Sequence, residues 1–149
     1  MSWELMGDWA HMALKLVVAG VCGAAVGWER EFHEKRAGLR THALICVGAC
    51  LFTLIAVEIG DSYGGTDMLR LVQGLLLGIG FLAGGVIFTQ RGSVKGLTTA
   101  AGLWVLTGVG LAVGLGRYAL AVLGTLLTLL IVAGLRQVED HLHGRDEGE

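Results

Sequence analysis

Five apolar runs divide the chain, at about 12–28, 43–60, 69–89, 97–115 and 118–135. Each is 17 to 21 residues long, close to the ~20 residues that cross ~30 Å of hydrocarbon in a helix rising about 1.5 Å per residue. The third, "LRLVQGLLLGIGFLAGGVIFT", has Arg70 at its start and Gln73 as its strongly polar interior residue, and the fourth, "LTTAAGLWVLTGVGLAVGL", carries no charge. A soluble helix of this length would show a polar stripe. Strands of a membrane barrel would run nearer ten residues with alternating polarity. The pattern therefore predicts an all-α membrane fold, a polytopic bundle of about five transmembrane helices over 12–135. An interfacial segment, 1–11, precedes it and a tail, 136–149, follows.

The polar segments set an orientation. The stretch "EREFHEKRAGLRTH", 29–42, holds Arg30, Lys35, Arg36 and Arg40; the 90–96 loop holds Arg91 and Lys95; the tail holds Arg136 and Arg145. Five crossings gather all three on one face. The other face has the acidic N-terminal segment, then Glu58, Asp61 and Asp67 against Arg70, then Arg117. Lys and Arg favour the cytoplasmic side, so the N-terminus is expected outside and the C-terminus in the cytoplasm. Trp3, Trp9, Tyr63 and Tyr118 would then mark the outer interface and Trp28 the inner one. The opening "MSWELMGDWAH" carries Glu4 and Asp8 without Lys or Arg. That is unlike a signal peptide, and the first run reads as a retained helix.

A candidate repeat lies inside the apolar pattern. "AGLRTHALICV" (37–47) and "KGLTTAAGLWV" (95–105) share Gly-Leu-x-Thr-x-Ala at an offset of 58 residues, and the same offset aligns Gly20, Ala25 and Gly27 with Gly78, Ala83 and Gly85. Each unit would be an inward helix, a loop and an outward helix, a parallel two-helix repeat about an axis along the membrane normal. Two helix N-termini, near Thr41 and Thr99, would then lie at one depth. Such ends carry orphan N–H groups and partial positive charge. Thr98 or Thr99 could cap one of them, and Glu29 is a candidate carboxylate partner.

Composition sharpens this picture. The chain is 54% hydrophobic and 16% charged, against about 25% charged in soluble domains. It has 25 Gly and no Pro. The pairs Gly23/Gly27, Gly74/Gly78, Gly80/Gly84 and Gly110/Gly114 each put two glycines on one helical face, where backbones can touch. Packing within the bundle is the expectation for most pairs, with one free to serve a homodimer. Cys22, Cys46 and Cys50 fall in apolar runs and read as small packing residues. The net charge of −2, with no aromatics interleaved on a basic face, excludes nucleic acid as a partner. "GIGFLAG" lies inside a spanning run without a preceding strand, which excludes a dinucleotide fingerprint. "HEKRA" is no zinc motif, the serines lack a nucleophile-elbow context, and His141 and His143 read as a polar tail. No enzyme activity is expected.

From "GWEREFHEKRAGLRTHALICVGACLF" onward the chain resembles the MgtC/SapB family of bacterial inner-membrane proteins. Three blocks carry the likeness: Gly27, Glu29, Arg30 and Glu31 with Ala37–His42; "GIGFLAGGVIF", 78–88, preceded by Asp67 and Arg70; and "GLTTAAGLWV", 96–105, followed by "GLAVGLG", 110–116. The chain departs from the family pattern at Met68, where Pro is usual, and at Ala83-Gly84. Some members carry a cytoplasmic C-terminal domain as well, and the chain is expected to be the membrane domain alone. The resemblance implies the inner membrane and a role in growth at low magnesium and, in some pathogens, in survival inside host cells. Two readings follow: a regulator of another membrane complex, or a small-ion transporter or channel. Magnesium is the one cofactor candidate. Lipid, a second copy of the chain and another membrane protein are the expected partners. The candidate ion or partner site is Glu29, Arg30, Arg40, Thr41 and His42 at the cytoplasmic mouth, with Thr98 and Thr99 beside it and Asp67 and Arg70 on the outer side. The plainer reading of Glu29 and Arg30 is a salt-bridged anchor between helix ends. Magnesium takes oxygen ligands, usually one or two carboxylates. No apolar run holds an Asp or Glu at mid-depth, so a dehydrating magnesium filter is not expected.

Overall fold

The computed structural model describes residues 2–63, 68–90 and 92–134. Five helices follow in chain order: α1 (Ser2–Phe32), α2 (Leu39–Tyr63), α3 (Met68–Val86), α4 (Leu97–Gly114) and α5 (Tyr118–Leu129), which runs on into a π-helical turn, Leu130–Gly134. Segments of four are long and apolar enough to cross a membrane: Asp8–Phe32, Leu39–Gly60, Met68–Val86 and Leu97–Gly114. Tyr118–Gly134 is a shorter apolar helix, reaching roughly 25 Å at 1.5 Å per residue. The chain is thus the all-α bundle its pattern predicts. Asp67, Arg91 and the tail with Arg136, His141, His143 and Arg145 fall outside the described residues, as do the side chains of Trp3, Glu4, Asp61 and Tyr63.

Helix α4 is the axis. Of its span 61% is buried, against 11% for α3. Helices α1 and α2 form an antiparallel hairpin in backbone contact. A Cβ at Gly23 would lie 2.5 Å from the His42 carbonyl oxygen, and one at Gly27 would lie 2.6 Å from the Leu39 Cα. Helix α4 lies parallel to α2 through its own pair: a Cβ at Gly110 would run into the Cys46 carbonyl oxygen, and one at Gly114 would lie 2.6 Å from the Thr53 Cβ. The core between these helices includes Ala19, Val26, Cys46, Cys50, Leu106 and Val113. Cys46 and Cys50 are free and buried, as packing residues. The hydroxyls of Thr53, Thr107, Thr125 and Thr128 each donate to the carbonyl four residues back, so they enter the apolar bundle already satisfied.

Helix α3 overturns the packing expectation for its glycines. A Cβ at Gly74, Gly78, Gly80 or Gly84 would meet nothing within 4 Å. Among the described residues these two pairs make no close helix contact. Among the α3 residues described as buried are Ile79 and Ala83, which seat it on α4. On its other side an apolar cleft of about 640 Å³ separates it from α2, lined by Gly48 and Phe52 of α2 and Leu71, Gly74, Gly78 and Leu82 of α3.

Two boundaries differ from the apolar pattern. The third run was expected to be helical to about residue 89, but α3 stops at Val86. Phe88–Gln90 and Ser93–Lys95 pair as an antiparallel hairpin, β1 and β2, in the register Phe88↔Lys95, Thr89↔Val94 and Gln90↔Ser93. Gly92 in its two-residue turn has φ 81°, a geometry that such turns require. Helices α2 and α4 begin not near Thr41 and Thr99 but two residues earlier, at Leu39 and Leu97. The Gly38 and Gly96 carbonyls accept their first bonds from the His42 and Ala100 N–H groups. The 58-residue offset is therefore kept at both starts. It is not kept in the packing: the counterpart of the tightly packed Gly23 is Phe81, 85% exposed.

Candidate functional site

The chain between α1 and α2 is built around a C-terminal cap. The Lys35 N–H donates to the Arg30 carbonyl and the Glu34 N–H to the Glu31 carbonyl, both at 3.0 Å, with Glu34 at φ 52°. This is a Schellman turn with glutamate where glycine is usual. It folds the chain back so that Glu31 Oε2 accepts the Leu39 N–H at 2.8 Å. The carboxylate satisfying the N-terminus of α2 is therefore Glu31, not Glu29, which the sequence had suggested. At α4 the other capping expectation fails too. Gly96 is the N-cap, at φ 91° with no side-chain cap, and a Cβ there would meet the Val86 carbonyl oxygen. Thr98 and Thr99 lie inside the first turn, Thr98 exposed and Thr99 buried.

Glu29 instead faces inward. Its Oε2 accepts from Arg30 Nε at 2.7 Å, and both side chains are largely buried. Arg30 Nη2 also donates to the Val132 carbonyl oxygen at 3.3 Å, inside the π-helical turn of α5. Wider π turns occur frequently at functional positions. His33 Nδ1 lies 2.8 Å from the Glu29 carbonyl oxygen and 3.1 Å from Glu29 Oε1. With its proton on the nearer carbonyl, Glu29 Oε1 is left without a hydrogen-bond partner among the described residues. His42, 0% exposed, has Nδ1 at 2.9 Å from the Gly38 carbonyl oxygen, and its Nε2 likewise has no partner there. A charged pair, a histidine and two unpartnered acceptor atoms thus sit together where α1, α2 and α5 end.

Three of the expected residues, Glu29, Arg30 and His42, are brought together. Arg40 and Thr41 are exposed on the first turn of α2. Arg70 is exposed at the opposite end of the bundle. The loop from α1 to α2 also meets the hairpin: the Arg36 guanidinium sits 3.5 Å above the Phe88 ring. This basic end thus gathers the 29–42 and 88–95 segments on one face. Glu31, His33 and the Val132 carbonyl were missed from sequence, as was Lys15. Lys15 Nζ donates to the Gly114 carbonyl at 3.0 Å, placing a cation at the negative end of α4. A charge inside the first apolar run was a visible signal. For Glu31 there was none, because its partner is eight residues away across a turn. Toward the other end, Asp8 and Glu58 flank an apolar groove of about 380 Å³ between α1 and α2.

Magnesium does not fit the buried cluster. Glu29 is its one carboxylate, already neutralised by Arg30, and magnesium demands near-octahedral oxygen ligation. Among the described residues no three His, Cys, Asp or Glu side chains converge on a metal position.

The profile of the MgtC family matches residues 16–141. The chain belongs to the MgtC family. Protein MgtC of Salmonella typhimurium strain LT2 is 36% identical over 130 residues, covering 87% of this chain and 54% of that protein. SrpB of Synechococcus elongatus is 35% identical over 144 residues, 89% of this chain and 79% of its own. YhiD of Escherichia coli K12, whose name assigns it provisionally to magnesium transport, is 33% identical over 142 residues, 92% of this chain and 66% of its own. The chain thus spans between about half and four fifths of these relatives' lengths. No solved structure matches. Family membership and the apolar helices together describe a multi-pass membrane protein.

Proposed function

We propose that this MgtC-family protein is a non-enzymatic component of magnesium-linked adaptation in the bacterial inner membrane, acting by docking another membrane protein along α3. The observation that carries this reading is the open glycine face. In lipid, apolar surface alone does not drive helices together, and small residues matter because they let backbones approach. Gly23, Gly27, Gly110 and Gly114 do this inside the bundle. Gly74 and Gly78 have the same spacing and, among the described residues, no neighbour within 4 Å of an added Cβ, and they line a cleft with Gly48 on its far wall. The magnesium link rests on the relatives' names. The orientation, basic end in the cytoplasm, rests on the Lys and Arg of the 29–42 loop and hairpin.

The test is growth at low magnesium with Gly74→Leu and Gly78→Leu. The chain has room for both side chains, so each variant is expected to insert and unfold like the parent yet lose activity, and photo-crosslinks from position 78 to a partner are expected to disappear. Unchanged growth with both would end the docking reading. A second reading, a small-ion transporter, is favoured by the buried Glu29–Arg30–His42 cluster, since ionisable groups within spanning segments mark ion pathways. Magnesium flux into liposomes holding the purified chain alone would establish it.

A further inference from the structure

His42 is placed in a way that packing does not explain. It is fully buried between two glycines on two helices. A Cβ at Gly27 of α1 would lie 3.0 Å from the His42 Cβ, and one at Gly102 of α4 would lie 4.0 Å from Nε2. Room has been left for an imidazole on both sides. Nδ1 is 2.9 Å from the Gly38 carbonyl oxygen. A carbonyl only accepts, so Nδ1 carries the hydrogen and Nε2 presents its lone pair. That lone pair has no partner among the described residues. A leucine would fill such a space without burying an orphaned acceptor, which costs about 1–3 kcal/mol. A second orphan at this end of the bundle, Glu29 Oε1, is also an acceptor. Two acceptors call for a ligand that donates.

We propose that His42 is a proton-binding site, taking up a proton at Nε2 from the aqueous phase at the basic end of the bundle. One N–H bond forms and nothing else is exchanged. The charged groups around it are few. Helix α1 contributes Glu29 and Arg30, with His33 held on Glu29. Helix α4 has no ionisable residue, and α5 has Tyr118 alone, at its far end. Arg40 on α2 and Glu34, Lys35 and Arg36 in the loop are exposed, and Glu31 is engaged by Leu39. Cys46 lies one turn further along α2 and is buried. A proton on Nε2 therefore adds an imidazolium at the end of the bundle that holds the Glu29–Arg30 pair, and its charge is expected to act on that pair. Arg30 also holds the Val132 carbonyl. Proton uptake at one atom of α2 is thus expected to bear on the contact between α1 and α5. The inference does not rest on what α3 docks, and its failure would leave that reading untouched.

The test uses the full chain in lipid nanodiscs with ¹⁵N-labelled histidine, its ring nitrogens followed from pH 8 to pH 5. The His42 signals are assigned by their loss in His42→Gln. At pH 8 they are expected to show the Nδ1–H tautomer, and on acidification to move to the doubly protonated ring. Glu29→Gln is expected to shift that titration. The thermal unfolding midpoint of the wild-type chain is expected to change over the same pH range, and that of His42→Gln to lack this component. If His42→Gln fails to fold, a chain with His11, His33, His141 and His143 replaced by Gln leaves His42 as the sole reporter. A ring that stays in one neutral form across the range overturns the proposal, and so does identical pH dependence of unfolding in wild type and His42→Gln.

Discussion

Arg30 ties two elements together: it pairs with Glu29 on its own helix and reaches the Val132 carbonyl on the last one. Removing one partner of a buried ion pair leaves the other charge uncompensated, at a typical cost of 3–5 kcal/mol. Arg30→Ala is expected to fall toward the lower end, about 3 kcal/mol, because Glu29 keeps some exposure and His33 as a neighbour. Thermal unfolding in detergent reads the loss. Arg30→Lys should recover only part of it, since an ammonium lacks the fork that serves both oxygens. A smaller effect of opposite sign belongs to Glu34. Its left-handed backbone costs a non-glycine residue roughly 1–2 kcal/mol, partly offset by the extra unfolded-state freedom of glycine. Glu34→Gly is therefore expected to stabilise the chain by about 0.5–1 kcal/mol in the same measurement. At this scale the sequence was legible in kind. Glu29, Arg30 and His42 stood out as ionisable groups between greasy runs. Which carboxylate caps and which pairs was not legible, because a turn of six residues decides it and periodicity says nothing about turns.

The glycine-spaced helices sort into two kinds that look alike in the sequence. Gly110 faces the α2 backbone at a distance no methyl group tolerates, whereas Gly78 faces open space. Gly110→Ala is expected to destabilise by about 1–3 kcal/mol through overpacking. Gly78→Ala is expected to change stability by less than about 1 kcal/mol, in the stabilising direction that helix propensity favours. Paired denaturation of the two variants checks this, and equal losses would mean that α3 packs more tightly than described. Spacing alone predicts that two glycines share a face, not what that face meets, which is why the α3 pairs were misassigned. The hairpin had a local signal that the apolar run concealed: Gly92 stands in the short polar stretch between the paired Gln90 and Ser93. Both helix starts keep the repeat offset because Gly38 and Gly96 occupy equivalent positions. The packing loses it because Phe81 stands where the first unit has Gly23.

At the scale of the molecule, the apolar pattern alone carried the architecture, since any element crossing lipid must satisfy its own backbone and only helices of sufficient length do so here. If α5 also crosses, the odd number of crossings has one consequence that packing cannot mimic. Ends joined by α1, α3 or α5 lie on opposite faces, and the basic segments lie together, as the contact of Arg36 with Phe88 requires. A single cysteine introduced at Lys35 or Ser93, in a chain whose Cys22, Cys46 and Cys50 are replaced by Ala or Ser, should react with a membrane-impermeant thiol reagent only after the cells are opened. One at Asp8 should react in intact cells. By the positive-inside rule the face with the basic segments is expected to be the cytoplasmic one. If Lys35 and Ser93 labelled on opposite faces, the Arg36–Phe88 contact and the five-helix thread would both fall. If both labelled from outside, the thread would stand and the orientation would invert, moving His42 and the Glu29–Arg30 pair to the periplasmic side and turning its proton chemistry toward the outer medium.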